Sequence, residues 1–319
     1  MEQPKTLQRA IQHFSDEQIC IDAVAALRWP NGPECPACGH KEHYYLKSQR
    51  RWKCKECYKQ FTVKLGTIFE DSPISLQKWL PALWMLVNCR NGVSSYEIAR
   101  DLAVSQKAAW FMLQRLRLAL QTGSVVKLGG SGTPVEVDET FIGGKARNMH
   151  KTRRIRMITI GKYTAKTAVM GMLERGGRVK TVVIGDRKGR KIEQIVRENV
   201  LPGTELHTDE FTAYVPLADQ YAHNVINHLE GYVDGKIHTQ GIENFWSCLK
   251  RGLGGTYVAV EPFHLFRYVD EQAFRFNNRK DGNGKKLSDA ERFNLALSQV
   301  AGKRLTFAEV TGKVGATCF

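Results

Sequence analysis

Four cysteines at fixed spacing constrain the fold of this chain more than any other feature. The sequence holds eight cysteines, and four of them follow the pattern Cys-x2-Cys-x15-Cys-x2-Cys: Cys35, Cys38, Cys54 and Cys57. Two such turns can present four thiolates to one tetrahedral zinc ion, which leaves no coordination position open for a substrate. We therefore predict a zinc ribbon with one structural Zn²⁺ ion. A redox pair or disulfides are the alternatives.

The net charge of +15 indicates a polyanionic partner. The chain has 319 residues, of which 42% are hydrophobic and 25% charged, as in a soluble globular protein with two or three domains. No apolar run reaches the length of a membrane span, and the first residues lack the core of a signal peptide. We expect a nucleic acid rather than a membrane as the partner, and a cytoplasmic location.

A helix-turn-helix pattern follows the cysteine region. Ser94 and Glu97 have the spacing of a capping box, and a second helix begins at Gln106 after a tight turn. In such a motif the first residues of the second helix enter the major groove of DNA. Gln106 and Lys107 are therefore candidates for base contacts, and Arg115 for a phosphate contact. A helical hairpin that only packs is the alternative.

A basic segment occupies the middle of the chain. Residues 145–166 contain eight lysines and arginines, among them Arg153 and Arg154, and no acidic residue. Such a segment is typical of a loop or strand edge that lies along a phosphate backbone. A solvated basic surface is the alternative.

Three acidic residues lie far apart in the sequence on elements that can meet. Asp138 lies in a β-branched and aromatic stretch, Asp209 ends a later short strand, and Glu243 lies on an amphipathic helix. The strands come first as a meander and then alternate with helices, which indicates a mixed α/β sheet. Three carboxylates there can hold two divalent ions, and oxygen ligands favour Mg²⁺ or Mn²⁺. Lys250 and Arg251 are candidates to hold the substrate phosphate, although an ordinary surface Glu/Lys pair is the alternative.

Three sequence blocks carry a family resemblance. They are Val137-Asp138-Glu139-Thr140-Phe141-Ile142-Gly143-Gly144-Lys145, His207-Thr208-Asp209-Glu210-Phe211-Thr212-Ala213-Tyr214, and His238-Thr239-Gln240-Gly241-Ile242-Glu243-Asn244-Phe245-Trp246-Ser247 with Leu249-Lys250-Arg251-Gly252. These blocks resemble the insertion-sequence DDE transposases of the zinc-ribbon-bearing ISXO type. The resemblance extends from the cysteine pairs to about Arg279.

This resemblance implies a ribonuclease H-like catalytic domain, magnesium-dependent cleavage at transposon ends and strand transfer by a 3′ hydroxyl. Position by position, it implies Asp138, Asp209 and Glu243 as the catalytic acids that hold the metal. Some members of the family use asparagine in the third position, so Asn244 and Gln240 are the alternatives to Glu243. We expect double-stranded DNA as the partner, a homo-oligomer assembled on that DNA, and association with the bacterial nucleoid.

The sequence divides into six parts. They are an N-terminal helix (1–30), a zinc ribbon (31–66), a helix-turn-helix region (67–122), a linker (123–133), a ribonuclease H-like catalytic domain (134–280) and a C-terminal helical extension (281–319). The expected fold class is α/β. Two other functions remain open: a structure-selective magnesium-dependent nuclease, and a DNA-binding regulator derived from a transposase.

Overall fold

The chain folds into two compact units. A computed structural model describes residues 4–121, 126–130, 132–144, 150–152, 155, 166–185, 189–225 and 238–313. The first unit consists of Met1–Thr122 with Asn278–Phe319, and the second of Gly123–Asn277. The chain therefore leaves the first unit, builds the second, and returns to complete the first. Within the described ranges, no helix has both the length and the apolar character needed to cross a membrane.

Two helices and a small antiparallel sheet begin the first unit. They are α1 (Leu7–His13), α2 (Glu17–Arg28), β1 (His43–Leu46), β2 (Arg51–Cys54) and β3 (Gln60–Phe61). Trp29, which ends α2, packs edge-on against Trp52 and Phe61 of the sheet, with ring centroids 5.3 and 5.9 Å away. The hydroxyl of Tyr45 donates to Gln18 of α2 at 2.8 Å. The ribbon and α2 thus share one core.

Three helices follow the ribbon: α3 (Leu76–Asn88), α4 (Ser95–Asp101) and α5 (Gln106–Leu120). Ser94 and Glu97 form the predicted capping box, which satisfies the free N–H groups at the start of α4. Ala103 adopts a left-handed conformation with φ of 49°, which turns the chain sharply between α4 and α5. Ser105 then caps α5. The local geometry is the helix-turn-helix arrangement that the pattern predicts.

A five-stranded mixed sheet with helices on both faces makes up the second unit. Its elements are β4 (Val135–Ile142), β5 (Thr167–Glu174), β6 (Val179–Ile184), α6 (Gly189–Asn199), β7 (Glu205–Thr208), β8 (Ala222–Val225), α7 (Gln240–Gly252) and α8 (Leu265–Asn277). The strand order is β6-β5-β4-β7-β8. The first three strands form an antiparallel meander, while β7 runs parallel to β4 and β8 parallel to β7. The predicted α/β class, with a mixed sheet of the ribonuclease H-like kind, is confirmed.

Alternate residues of the central strand β4 face different layers. Val135 and Val137 join the core formed with α6 on one face of the sheet. Successive strand residues point to opposite faces, so Glu136 and Asp138 point to the other face. That face is covered by α7 and α8, whose buried residues include Ile242. The strand therefore directs two acidic side chains beneath α7.

After α8 the chain returns to the first unit. Helix α9 (Asp289–Ser298) begins with a capping box of Ser288 and Glu291. Its Phe293 packs between Phe14 and Trp84, with ring centroids 5.4 and 5.3 Å away. This helix therefore fills the core formed by the N-terminal helices.

The last described residues pack against α5. The ammonium group of Lys303 donates to the carbonyls of Ala119 and Gln121, at 2.9 and 2.7 Å, where the helix ends. These carbonyls have no partner within the helix, so the lysine acts as a C-terminal cap. A short helix, α10 (Phe307–Val310), follows and places the ring of Phe307 edge-on against Phe111. The C-terminal segment thus belongs to the same core as α5.

Candidate metal and nucleic-acid sites

The four ribbon cysteines converge on one point. Their sulfur atoms all lie within 4.8 Å of one another, and the pairs Cys35–Cys57 and Cys38–Cys54 are separated by 3.6 Å. Four sulfurs bound at about 2.3 Å to a tetrahedral zinc ion would be about 3.8 Å apart. The backbone N–H of Glu56 also points to the Cys54 sulfur at 3.4 Å. The cluster fits the predicted structural zinc ion, with all four positions supplied by protein.

Asp138 and Asp209 lie level with each other on neighbouring strands. The parallel register pairs Val135 with Leu206 and Glu136 with His207. Extending it by two residues brings Asp138 beside Asp209, which directly follows β7. Burial, and then the negative charge of Asp209, raise the pKa of the Asp138 carboxyl to about 6. The sheet therefore brings two of the predicted acids together, although 70 residues separate them in the sequence.

A side chain of helix α7 contacts Asp138 directly. The indole N–H of Trp246 donates to Oδ2 of Asp138 at 2.9 Å, and the backbone N–H of Glu139 donates to Oδ1 at 2.8 Å. Gly171 of β5 makes room for the indole, because a Cβ atom there would lie 2.6 Å from Cζ2 of Trp246. The orientation of the Asp138 carboxylate is thus determined by its own backbone and by the helix that carries Glu243.

Glu243 and Lys250 lie close to Trp246 around the axis of α7. Successive residues of a helix are rotated by about 100°, so Glu243 lies about 60° and Lys250 about 40° from Trp246 around the axis. Both side chains are exposed, and the hydroxyl of Thr239 donates to the Glu243 carboxylate at 3.4 Å. The helix therefore presents one exposed carboxylate and one exposed cation on the same flank of Trp246.

The other candidates on α7 face elsewhere. By the same rotation, Gln240 lies about 120°, Arg251 about 140° and Asn244 about 160° from Trp246. The side-chain carbonyl of Asn244 accepts a hydrogen bond from the thiol of Cys248 at 3.7 Å. Around the axis of α7, Glu243 thus lies nearer to Trp246 than either neighbouring amide does.

The three acids are spread more widely than the cysteines. Among the described residues, the side chains whose metal-ligating atoms all lie within 4.8 Å of one another are the four cysteines. Asp138, Asp209 and Glu243 do not meet that spacing as a trio. Two ions about 3.5–4 Å apart need a correspondingly wider set of ligands. We refer to Asp138, Asp209 and the neighbouring part of α7 as the acidic site.

A buried tyrosine lies beside the acids on the opposite face of β4. Tyr214 donates its hydroxyl to Glu139. Burial raises the pKa of Tyr214 well above its usual value, and the charges of Glu139, Asp209 and Asp138 raise it further. The hydroxyl therefore remains protonated and can hold Glu139 in place.

The first residues of α5 are exposed, as a DNA-reading helix requires. Gln106 donates to the hydroxyl of Ser95 at 2.9 Å, which links the two helices of the motif. The ammonium group of Lys107 lies over the ring of Phe307, 4.7 Å from its centroid. Both side chains are at the surface, but each also has a partner within the unit.

The placement of Arg115 corrects the expectation of a phosphate contact. Arg115 is 5% exposed, and it donates to the carbonyls of Leu305 and Glu70 at 3.1 and 2.6 Å. The guanidinium is therefore enclosed between α5 and the C-terminal segment. Arg115 holds the unit together and is not available to DNA. Arg153 and Arg154, with most of the basic segment 145–166, lie outside the described residues.

Sequence reasoning did not identify Trp246 and Gly171 as parts of the acidic site. Trp246 belongs to the helix motif, but its contact with Asp138 depends on how α7 docks on the sheet. Gly171 gave one signal, because a glycine inside an otherwise apolar strand often marks a close approach by another element.

Comparisons with known proteins identify a family for each of the two regions. Residues 127–277 match the family model described as the ISXO2-like transposase domain, and residues 15–60 match the transposase zinc-ribbon domain. An uncharacterized protein in transposable element ISH50 of Halobacterium salinarum is 28% identical over 256 residues, covering 76% of this chain and 85% of that protein. An uncharacterized transposase-like protein of Haemophilus influenzae is 32% identical over 102 residues, covering 32% of this chain and 82% of that protein.

Proposed function

This chain belongs to the ISXO2-like transposase family, and on that premise we propose that it cleaves DNA at transposon ends and joins those ends to target DNA. The observation that carries the proposal is the register that sets Asp138 level with Asp209, beside the helix that presents Glu243. We assign these three carboxylates as ligands of two Mg²⁺ or Mn²⁺ ions. Oxygen donors favour such hard cations, and the like charges that raise the Asp138 pKa favour any cation between them.

Bound there, the ions would stabilise the attacking and leaving oxygens of the phosphodiester and lower the pKa of the attacking water or 3′ hydroxyl. The protein's part in the reaction is positioning. Trp246 holds Oδ2 of Asp138 and the backbone N–H of Glu139 holds Oδ1, so the carboxylate keeps one orientation. We assign Lys250, on the same side of α7 as Glu243, to the phosphate that is attacked.

DNA recognition is assigned to the first unit and to the basic surfaces of the second. Gln106 and Lys107 would read bases or phosphates from the start of α5. Arg251 and the segment that contains Arg153 and Arg154 would contact the backbone and add to affinity. Joining requires two transposon ends at one target, so we propose a homo-oligomer assembled on double-stranded DNA, acting at the bacterial nucleoid.

A joining assay with Mg²⁺ and end sequences taken from the DNA flanking the gene tests this function. We expect Glu243→Gln to reduce joining by about 100-fold or more and to leave end binding intact. The loss of a metal ligand removes an electrostatic interaction that stabilises the transition state. Glu198→Gln, an exposed glutamate on α6, is the matched control and should join normally.

The outcomes separate the three functions. Cleavage of branched DNA without joining would support the nuclease alternative. End binding by the wild-type protein with neither cleavage nor joining would support a regulator. Normal joining by Glu243→Gln would remove Glu243 from the site.

A further inference from the structure

A buried carboxylate lies directly behind the acidic site. Glu136 is 1% exposed and precedes Asp138 by two residues on β4. Its Oε1 lies 3.3 and 3.2 Å from Nε and Nη2 of Arg175, and its Oε2 accepts from the backbone N–H of Ile242 at 2.9 Å. A buried charge is tolerated only when it is paired and hydrogen-bonded, and both oxygens of Glu136 meet that condition.

Arg175 extends this contact to two further elements. It lies in the turn after β5, and its Nη2 is 3.0 Å from Nδ1 of His207 on β7 and 3.0 Å from the carbonyl of His238 before α7. A guanidinium has only donors, so Nδ1 of His207 is the acceptor in this contact, and the other ring nitrogen lies 2.9 Å from the carboxylate of Glu205. One guanidinium therefore touches β4, β7 and the start of α7.

A glycine allows α7 to come this close. A Cβ atom on Gly241 would lie 2.8 Å from Oε2 of Glu136 and 2.6 Å from Cδ2 of Leu173. The first turn of α7 therefore rests directly on the sheet. A larger residue there would lift the helix away from the carboxylate.

The elements joined by Arg175 are the three that carry the acids. Glu136 precedes Asp138 by two residues, His207 precedes Asp209 by two, and Ile242 immediately precedes Glu243. Residues two apart on a strand share a face, so fixing one fixes the direction of the other.

We propose that Arg175 is a positioning residue for the metal site. It sets the spacing of the three acid-bearing elements before any ion arrives. This inference rests on the proposed function. Ligands that buried hydrogen bonds already hold in position bind a metal more tightly than ligands that must first be ordered. Loss of a hydrogen bond that supports the ligands typically weakens metal binding 10- to 100-fold.

The test measures Mn²⁺ binding to the zinc-loaded, DNA-free protein by electron paramagnetic resonance. Arg175→Ala should raise the dissociation constant for Mn²⁺ about tenfold or more. The dissociation constant of Arg175→Lys should lie between those of the wild type and Arg175→Ala. Lysine keeps a charge beside Glu136 but lacks the planar guanidinium that reaches His207 and the His238 carbonyl together. Joining by either variant should recover partly at high Mn²⁺ concentration, which a general folding defect would not produce.

Arg197→Ala is the matched control. Arg197 has a similarly exposed side chain, 24% against 27% for Arg175, and also pairs with acids, Glu193 and Asp219. It lies on α6, which packs on the opposite face of the sheet. Its removal should leave Mn²⁺ affinity unchanged.

Wild-type Mn²⁺ affinity in folded Arg175→Ala and Arg175→Lys would overturn the inference. If the alanine variant does not fold, the lysine variant decides by the same criterion. Asp138→Asn separates this failure from failure of the proposed function. Loss of Mn²⁺ binding in Asp138→Asn with normal binding in the Arg175 variants refutes the role of Arg175 alone. Normal binding in Asp138→Asn as well refutes the acidic metal site itself.

Discussion

Gly171 of β5 lies directly opposite Asp138 of β4 in the antiparallel ladder, and the side chain it lacks would occupy the space through which Trp246 reaches that aspartate. A strand glycine and a helix tryptophan thus determine together how one catalytic candidate is held. The contact joins three elements at a single point.

Gly171→Ala should displace the indole of Trp246. The new Cβ would lie 2.6 Å from that ring and 2.7 Å from Ile242, both in a packed core. We expect a loss of about 1–3 kcal/mol of stability, as in other overpacked cores, together with weaker metal binding. Thermal unfolding and Mn²⁺ titration check this. Gly185→Ala, where a Cβ would contact nothing within 4 Å, should behave as wild type, and unchanged properties in both variants would contradict the packing argument.

Trp246→Phe should shift the pH dependence of metal binding. The indole N–H stabilises the ionised form of Asp138, so its loss raises the pKa of that carboxyl beyond about 6. A hydrogen bond to a charged group contributes about 1.5–3 kcal/mol, so a shift of about one pH unit is expected. Protons then compete with Mn²⁺ at higher pH. Mn²⁺ binding measured between pH 5 and 8, in roughly half-unit steps, gives the pH at which binding is half-maximal. The same half-maximal pH in variant and wild type would show that the Trp246 contact does not affect the pKa of Asp138.

Asp138→Asn should stabilise the protein when magnesium is absent. The pKa of Asp138 rises from 3.8 to about 6 on folding, so between these values the folded carboxyl keeps a proton that the unfolded one has lost. Stability from this group therefore falls as pH rises through the window, and above about pH 6 the buried charge destabilises the fold. Asparagine removes that charge. We expect a gain of about 3 kcal/mol at pH 7.5 and little gain near pH 4, measured by denaturant unfolding, and an equal gain at both pH values would contradict the assignment.

Cys54→Ser should release the zinc ion and unfold the ribbon. Cys54 is fully buried within the cluster, and structural zinc sites supply folding free energy directly. Because Trp29 of the N-terminal part packs on the ribbon, fluorescence should report the loss. Cys89→Ser, a cysteine outside the cluster in the same unit, is the control and should keep one zinc ion. Stoichiometric zinc in the Cys54 variant would show that the site is held otherwise.

Removal of residues 303–319 should impair DNA binding and leave the acidic site functional. Lys303 caps the end of α5, and Leu305 and Phe307 cover Arg115 and Phe111 on that helix. We expect a lower unfolding temperature for the first unit and loss of binding to transposon ends. Mn²⁺ affinity should be unchanged, because the acids belong to the second unit. End binding equal to that of the full chain would contradict this role for the C-terminal segment.

Local patterns in the sequence were sufficient for much of this protein. The cysteine spacing predicted the four-sulfur cluster, and the capping residues before α4 predicted where that helix begins. The β-branched and aromatic content of residues 135–142 predicted the strand that carries Asp138. Each of these features depends on residues close to one another in the chain, where spacing alone decides which atoms can meet.

The tertiary structure alone decided the relationships between distant residues. Arg115 appeared suited to a phosphate contact until the C-terminal segment, 190 positions later, was found to enclose it. The contact of Trp246 with Asp138 and the role of Arg175 depend on strand register and on where α7 docks. These contacts join residues 32 to 108 positions apart, and no local periodicity encodes them, because they follow from how complete layers pack.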